Sequence, residues 1–196
     1  MTDNPTADTP ELVVLADSDG RPAGTCLKSE VHSTTTPLHF AFSCYLLDAQ
    51  GRVLLTRRAL GKKTWPGVWT NSMCGHPAPG EDPAAALVRR GAEELGIDAD
   101  NIVGVEVVLP DFSYRAVDSS GIVEHEICPV FLARLADPGG VNPLRHEVDS
   151  EHWVDAASLV TAVRSTPFAF SPWMVQQLAD PRLVSALGVA PDTTGQ

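Results

Sequence analysis

The segment "GIVEHEICPVFLARL", residues 121–135, constrains this chain most. Ile122, Val123, Ile127, Val130 and Phe131 give it the apolar density of a strand buried in the middle of a sheet. Glu124 and Glu126 lie two positions apart within it. On a strand such positions share one face, roughly 6.5 Å apart along the chain. Two carboxylates on one buried face repel unless they share a cation or a proton. A solvent-facing strand would escape that penalty, but the flanking apolar residues disfavour full exposure. His125 points to the opposite face and is read as structural.

The rest of the chain supplies partners for this strand. "ELVVLAD" (11–17) and "GRPAGTCLKSEVH" (20–32) read as a strand, a turn and a return segment. "LHFAFSCYLLD" (38–48) alternates, placing Leu38, Phe40, Phe42, Cys44 and Leu46 on one face, with Cys44 in the core. "RVLLTRR" (52–58) returns as its hairpin partner. The clearest helix is "EDPAAALVRRGAEELG" (81–96): Asp82 caps it, Pro83 fits its first position and Gly96 ends it. "NIVGVEVVLPDFSYRAV" (101–117) and "HEVDSEHWVD" (146–155) add strands. "AASLVTAVRS" (156–165) and "SPWMVQQLADPRLVSAL" (171–187) add two helices. Mixed strands with segregated helices predict an α+β or layered sandwich. One domain is expected over residues 11–188, with loose tails at 1–10 and 189–196.

Charge narrows the function. Lys and Arg number 14 against 25 Asp and Glu, a net −11 with no basic stripe, which argues against nucleic acid. One dense basic cluster stands out, "TRRALGKK" (56–63), suited either to a small polyanion or to a solvated loop. The N-terminus lacks the pattern of a signal peptide, and no apolar run approaches the ~18 residues of a membrane span. Cys26, Cys44, Cys74 and Cys128 are scattered, with no CxxC pair, which predicts a reduced, cytoplasmic protein.

Several polar residues break local rules. Glu93 and Glu94 sit in the last turn of the 81–96 helix, opposing its dipole by about 0.3–1 kcal/mol each. Arg89 and Arg90, four residues earlier, can pair with them on a solvent face, or a cation can lie nearby. His32, His39 and His76 can join Glu124 and Glu126 in a nitrogen and oxygen set suited to Mn²⁺ or Zn²⁺, with Mg²⁺ admissible. Singly, each of these histidines is more often just a polar residue, and His146 and His152 have that reading alone. In "TNSMCGHP" (70–77), Cys74 is a core residue, a ligand beside His76 or a reacting thiol, and spacing leaves all three open.

Five pieces taken together go further: "TPLHFAFSCYLLD", "TRRALGKKTWPGVWTNSMCGHP", "RRGAEELGI", "YRAVDSSGIVEHEICPVF" and "FSPWM". In this order, over about residues 28–178, they resemble the type 1 isopentenyl-diphosphate Δ-isomerases. The resemblance implies the Nudix fold, an α/β/α sandwich with a mixed β-sheet. The Nudix box G-x5-E-x7-R-E-U-x-E-E-x-G-U (U apolar) is degenerate here. Gly75, Glu81 and Arg89 keep their places, but Arg90 replaces a glutamate and Gly91 an apolar residue. A fixed positive charge among metal-binding carboxylates weakens a hydrolytic site, which favours isomerase over Nudix hydrolase of a nucleoside or prenyl diphosphate.

The resemblance also implies roles. His32, His39, His76, Glu124 and Glu126 match positions that hold one divalent metal, Mn²⁺ or Zn²⁺. Glu94 matches a position that binds Mg²⁺ together with the diphosphate, and no flavin is expected. Lys28, Arg58, Lys62 and Arg90 match positions that meet the diphosphate. Cys74 and Glu126 match the catalytic proton-transfer pair, with Tyr114 and Trp173 in the reaction pocket. Trp65 and Trp69 either exclude water or fill the core. The implied activity moves a double bond between isopentenyl and dimethylallyl diphosphate in isoprenoid biosynthesis. The implied partners are these small molecules alone, with no nucleic acid or membrane, and the chain is expected to be a monomer or weak homodimer.

Overall fold

A computed structural model describes residues 10–190. The strands are β1 (Leu12–Ala16), β2 (Pro22–Leu27), β3 (His39–Phe40), β4 (Phe42–Leu47), β5 (Val53–Arg58), β6 (Trp69–Thr70), β7 (Met73–Gly75), β8 (Ile102–Leu109), β9 (Ser113–Val117), β10 (Val123–Ile127), β11 (Val130–Leu135) and β12 (Val148–Val154). The helices are α1 (Lys28–Val31), α2 (Pro83–Leu95), α3 (Ala156–Ser165), α4 (Pro172–Gln177) and α5 (Pro181–Ala186). Five strands form one mixed sheet in the order β2-β1-β3-β10-β9. A second sheet runs β12-β5-β4-β11-β8, with β6 on β5 and β7 on β4.

The two segments read as single strands, 38–48 and 121–135, are each two strands in different sheets. β3 lies parallel to β10, and β4 parallel to β11. Both chains change sheets at the same level, one at Ala41 and the other at Cys128–Pro129. Hydrogen bonding continues through the junction: the Ala41 amide donates to the Ile127 carbonyl (2.9 Å) and the Ser43 amide to the Pro129 carbonyl (3.0 Å). Pro129 has no N–H to give an inner ladder, so the break falls there. His39, Ser43, Glu126 and Cys128 all come from this junction.

The larger sheet is covered on both faces. Phe42, Cys44 and Leu46 of β4 pack with Leu54, Phe131 and the Ala86, Leu87 and Leu95 side chains of α2. Tyr45 and Leu47 face the other way, onto Val160, Trp173 and Leu183 of α3, α4 and α5. The predicted alternation in β4 therefore holds, but its second face is buried too, as a central strand requires. Among the described residues, no helix is long and apolar enough to cross a membrane.

Helix α2 begins and ends where its sequence dictates. The Asp82 carboxylate accepts from the amides of Ala84 (2.8 Å) and Ala85 (3.3 Å), and Pro83 opens the first turn. Gly96 closes it with φ 59°. The long segment 171–187 is instead two helices, because Pro181 lacks the N–H for continuation and Asp180 starts a new cap at the Arg182 amide (2.8 Å). Of the tails expected at 1–10 and 189–196, residues 1–9 and 191–196 lie outside the described residues, while Val189, read as part of the second tail, packs against the core.

Gly96→Ala tests this helix end. Its Cβ would stand 2.5 Å from the Asn142 carbonyl oxygen, on a left-handed backbone. Strain and clash together should cost about 2–4 kcal/mol, lowering Tm by roughly 4–15 °C in thermal denaturation. An unchanged Tm would show that residue 142 moves away freely.

Candidate active site

A cavity of about 250 Å³ gathers the residues singled out in the sequence. Every residue matched to a catalytic, diphosphate or metal position lines it except His39, which is fully buried, whereas Trp65, Trp69, Arg89 and Glu93 do not line it. Three walls can be distinguished: a histidine and glutamate cluster, a thiol set among polar side chains, and a basic rim.

The cluster comprises His32 after α1, His39 in β3, His76 after β7 and Glu126 in β10. One ligand atom from each lies within 4.8 Å of all the others. The ring centroids are 5.1–5.6 Å apart. His39 Nδ1 lies 2.9 Å from the Pro37 carbonyl, which fixes that nitrogen as donor and leaves Nε2 with its lone pair. Nε2 of His32 and His39, and both nitrogens of His76, are buried without a hydrogen-bond partner. Buried polar atoms left unpaired are costly. Burial and the neighbouring His76 push His32 down to about 3, and burial lowers His76 as well. Glu126 Oε1 faces His39 and His76 at 3.4 Å each; although burial alone would raise it, these imidazoles hold its carboxyl well below the usual range. Burial works against a charge on His39, but Glu126 and the Pro37 carbonyl raise its pKa. Three imidazoles with unpartnered nitrogens and a carboxylate aimed at one point are a donor set for a divalent cation, which would bind the neutral rings.

Glu124 is placed apart from this group, although it shares the buried face of β10 as expected. Its Oε1 accepts from the Thr64 hydroxyl (2.5 Å) and its Oε2 from the Tyr114 hydroxyl (2.6 Å). Burial, then the charge of Glu126, raises its pKa. Tyr114 is thereby fixed over the cavity, with its ring 5.7 Å from that of Trp173.

Cys74 does not belong to the cation cluster. Its Sγ lies 3.3 Å from Ser43 Oγ and 3.3 Å from both polar atoms of the Asn71 amide. Asn71 is locked: Nδ2 donates to the Cys44 (3.1 Å) and Met73 (2.8 Å) carbonyls, while Oδ1 accepts from the Trp173 indole (3.1 Å). Ser43 is held from behind, since Gln177 Nε2 donates to it (2.9 Å) and the Tyr45 hydroxyl donates to Gln177 Oε1 (2.9 Å). Burial pushes the Cys74 thiol up to about 12, against the opposing hydrogen bonds from Ser43 and Asn71. Gly75 stands between Cys74 and His76 in extended backbone. It lies in β7, where a Cβ would meet Arg90 Cγ at 2.9 Å and the Phe42 ring at 3.0 Å.

Ser43, Asn71, Thr64 and Gln177 were not among the residues chosen from sequence. Ser43 carried a signal, a small polar residue in the apolar run "FSCYLL", and Asn71 stands within "TNSMCGHP". Gln177 carried none.

The basic rim consists of Lys28, Arg58, Lys62 and Arg90, the four that the resemblance assigns to the diphosphate, together with Lys63. Arg58 Nε and Nη2 donate to the Thr64 carbonyl (3.1 and 2.9 Å), and its guanidinium carbon sits 5.4 Å from the centre of the Trp173 ring. Arg90 is buried and bonded to Glu94 and Glu93, so the carboxylates late in α2 serve an arginine of their own helix. The Gly91 replacement in the box follows from packing, because a Cβ there would lie 2.6 Å from Ile102 Cδ1. Trp65 packs edge-on against Trp173 (5.5 Å), with its backbone at φ 42°, strained for a bulky residue. Trp69 packs against the core on the α3 to α5 side.

Comparison with known proteins agrees with this geometry. The NUDIX domain family matches residues 37–174. The isopentenyl-diphosphate Delta-isomerase of Corynebacterium diphtheriae is 62% identical over 177 residues, covering 90% of this chain and 96% of the relative. The protein of the same name from Leifsonia xyli is 54% identical over 181 residues, covering 92% and 95%. Among solved structures, a protein from Deinococcus radiodurans superposes with a TM-score of 0.66 at 16% identity, covering 86% of this chain and 98% of that one. A Nudix hydrolase from M. smegmatis gives 0.53 at 19% identity, covering 92% and 98%. The last two show the shared fold alone. With an arginine inside its Nudix box and close relatives across nearly its whole length, the chain belongs to the Nudix family and, within it, to the isopentenyl-diphosphate Δ-isomerases.

Proposed function

We propose that the protein interconverts isopentenyl diphosphate and dimethylallyl diphosphate, an isomerisation in isoprenoid biosynthesis. The observation that carries this reading is a thiol and a carboxylate, Cys74 and Glu126, lining one small cavity together with five cationic side chains. An unactivated alkene must take a proton at C4 and lose one from C2, passing through a tertiary carbocation-like state. Such a reaction needs an acid and a base about one alkene, and little water.

Cys74 and Glu126 form the proton-transfer pair, exchanging roles with reaction direction. Asn71 and Ser43 hold the sulfur, and Glu124 holds Tyr114 where its hydroxyl can orient the proton on the carboxylate. Trp173 offers its π-face to the developing positive charge, a contact of about 2 kcal/mol in a dry site. Lys28, Arg58, Lys62 and Arg90 take the diphosphate, which anchors the alkene between the two groups. Arg58 already lies against Trp173, so drawing its charge towards the diphosphate would free the ring for the cation.

His32, His39, His76 and Glu126 would hold Mn²⁺ or Zn²⁺, with Glu124 adjoining, and Glu94 would take part in binding Mg²⁺ with the diphosphate. A bound divalent ion supplies positive charge that keeps Glu126 ionised and in register. The unpartnered imidazole nitrogens support this donor set.

Incubating the protein with isopentenyl diphosphate and Mg²⁺ or Mn²⁺ should yield the acid-labile dimethylallyl product without phosphate release. Released phosphate would point to a hydrolase instead. No product, with metal shown to be bound, would overturn the isomerase reading.

A further inference from the structure

Most cations at the rim already have an anion. Glu11, one residue before β1, bonds Lys28 at 2.7 Å and stands 3.8 Å from Arg90. Glu147, one residue before β12, bonds Lys62 and stands 3.9 Å from Arg90 Nη2. Lys62 holds the Glu147 carboxyl below the usual carboxylate range although burial works the other way. Arg58 differs, giving its guanidinium to Thr64. Glu11 and Glu147 lie far apart in sequence, outside α2 and its Nudix box, yet both reach Arg90, one beside Lys28 and the other beside Lys62. A buried arginine and a half-buried lysine need counter-charge whenever no ligand supplies it.

We propose that Glu147 and Glu11 are internal counter-ions that compete with the diphosphate for Lys62 and Lys28, and so set how tightly this site holds a diphosphate. The inference rests on the reading that the rim cations receive the diphosphate. A diphosphate arriving at Lys62 and Arg90 brings like charge beside Glu147 and must displace its contacts. Substrate and product carry the same diphosphate, so the counter-ions weaken both ground states alike. They raise KM and speed release without touching the alkene. Glu147 meanwhile gives Lys62 and Arg90 a fixed anion within the protein.

The test is calorimetric titration with inorganic diphosphate at fixed free Mg²⁺, using full-length wild type, Glu147→Gln and Glu151→Gln. Glutamine keeps the volume and hydrogen-bonding capacity of Glu147 while removing its charge. Glu151 lies on β12 and pairs with Arg145, so it controls for net charge. Glu147→Gln should bind about tenfold tighter, with KM for isopentenyl diphosphate falling and kcat not rising, while Glu151→Gln matches the wild type. Glu11→Gln, at a more exposed side chain, should shift affinity the same way and serves if Glu147→Gln folds poorly. Unchanged or weaker binding by Glu147→Gln, or equal tightening by Glu151→Gln, overturns the counter-ion role while leaving the proposed function standing. Absence of diphosphate binding by the wild type overturns the assignment of the rim cations, and the counter-ion role with it.

Discussion

Cys74→Ala should lower kcat by about 10³- to 10⁴-fold while leaving the metal content of the protein unchanged. The sulfur lies outside the cluster of His32, His39, His76 and Glu126, and its near neighbours are Ser43 and Asn71. Removing one atom there takes away a proton-transfer group and leaves a small gap at the cavity wall, so the fold should survive. Steady-state kinetics together with metal analysis of the purified variant would check both halves. A variant that lost its metal would make the thiol a ligand. A variant that kept its turnover would move the acid–base role to another group.

Stripping the metal should cost at least about 10²-fold in activity, restored by adding Mn²⁺ or Zn²⁺. Without an ion, Glu126 faces His39 and His76 alone, and four buried nitrogens of the three imidazoles have no hydrogen-bond partner. The stripped protein should also melt at lower temperature. An ion at about a hundred times its dissociation constant adds roughly 2.7 kcal/mol to stability, which is several degrees in Tm for a chain of this length. His39→Ala should reproduce both losses, because His39 sits fully buried with its Nδ1 tied to the Pro37 carbonyl and its Nε2 aimed at the cluster. Full activity in excess chelator would contradict the assignment of the histidines.

The helix 83–95 and the shared burial of Glu124 and Glu126 were legible because each rests on local chemistry. A cap, a proline at the first turn and a terminal glycine act within a few residues, and strand alternation acts over two. The breaks in the segments 38–48 and 121–135 were not legible. Pro129 hinted at the second, but Ala41 is an ordinary strand residue, and the first break exists only because its neighbour β10 leaves the sheet at that level. The division between Glu124 and Glu126 was hidden for a similar reason. Both face the same side of β10, and only Thr64 and Tyr114, brought in from a loop and from β9, decide that Glu124 binds hydroxyls while Glu126 faces imidazoles.

The sequence alone determined which family the chain resembles and which residue types stand out along it, since types, spacing and local caps are written along one chain. Tertiary structure decided how those residues are grouped. It separated Cys74 from His76, bonded each of Lys28, Lys62 and Arg90 to a carboxylate, and set Gln177 and Ser43 behind the thiol. The physical reason is that hydrogen bonds and ion pairs act over a few ångströms in space, whereas the partners here lie up to 134 residues apart in the chain.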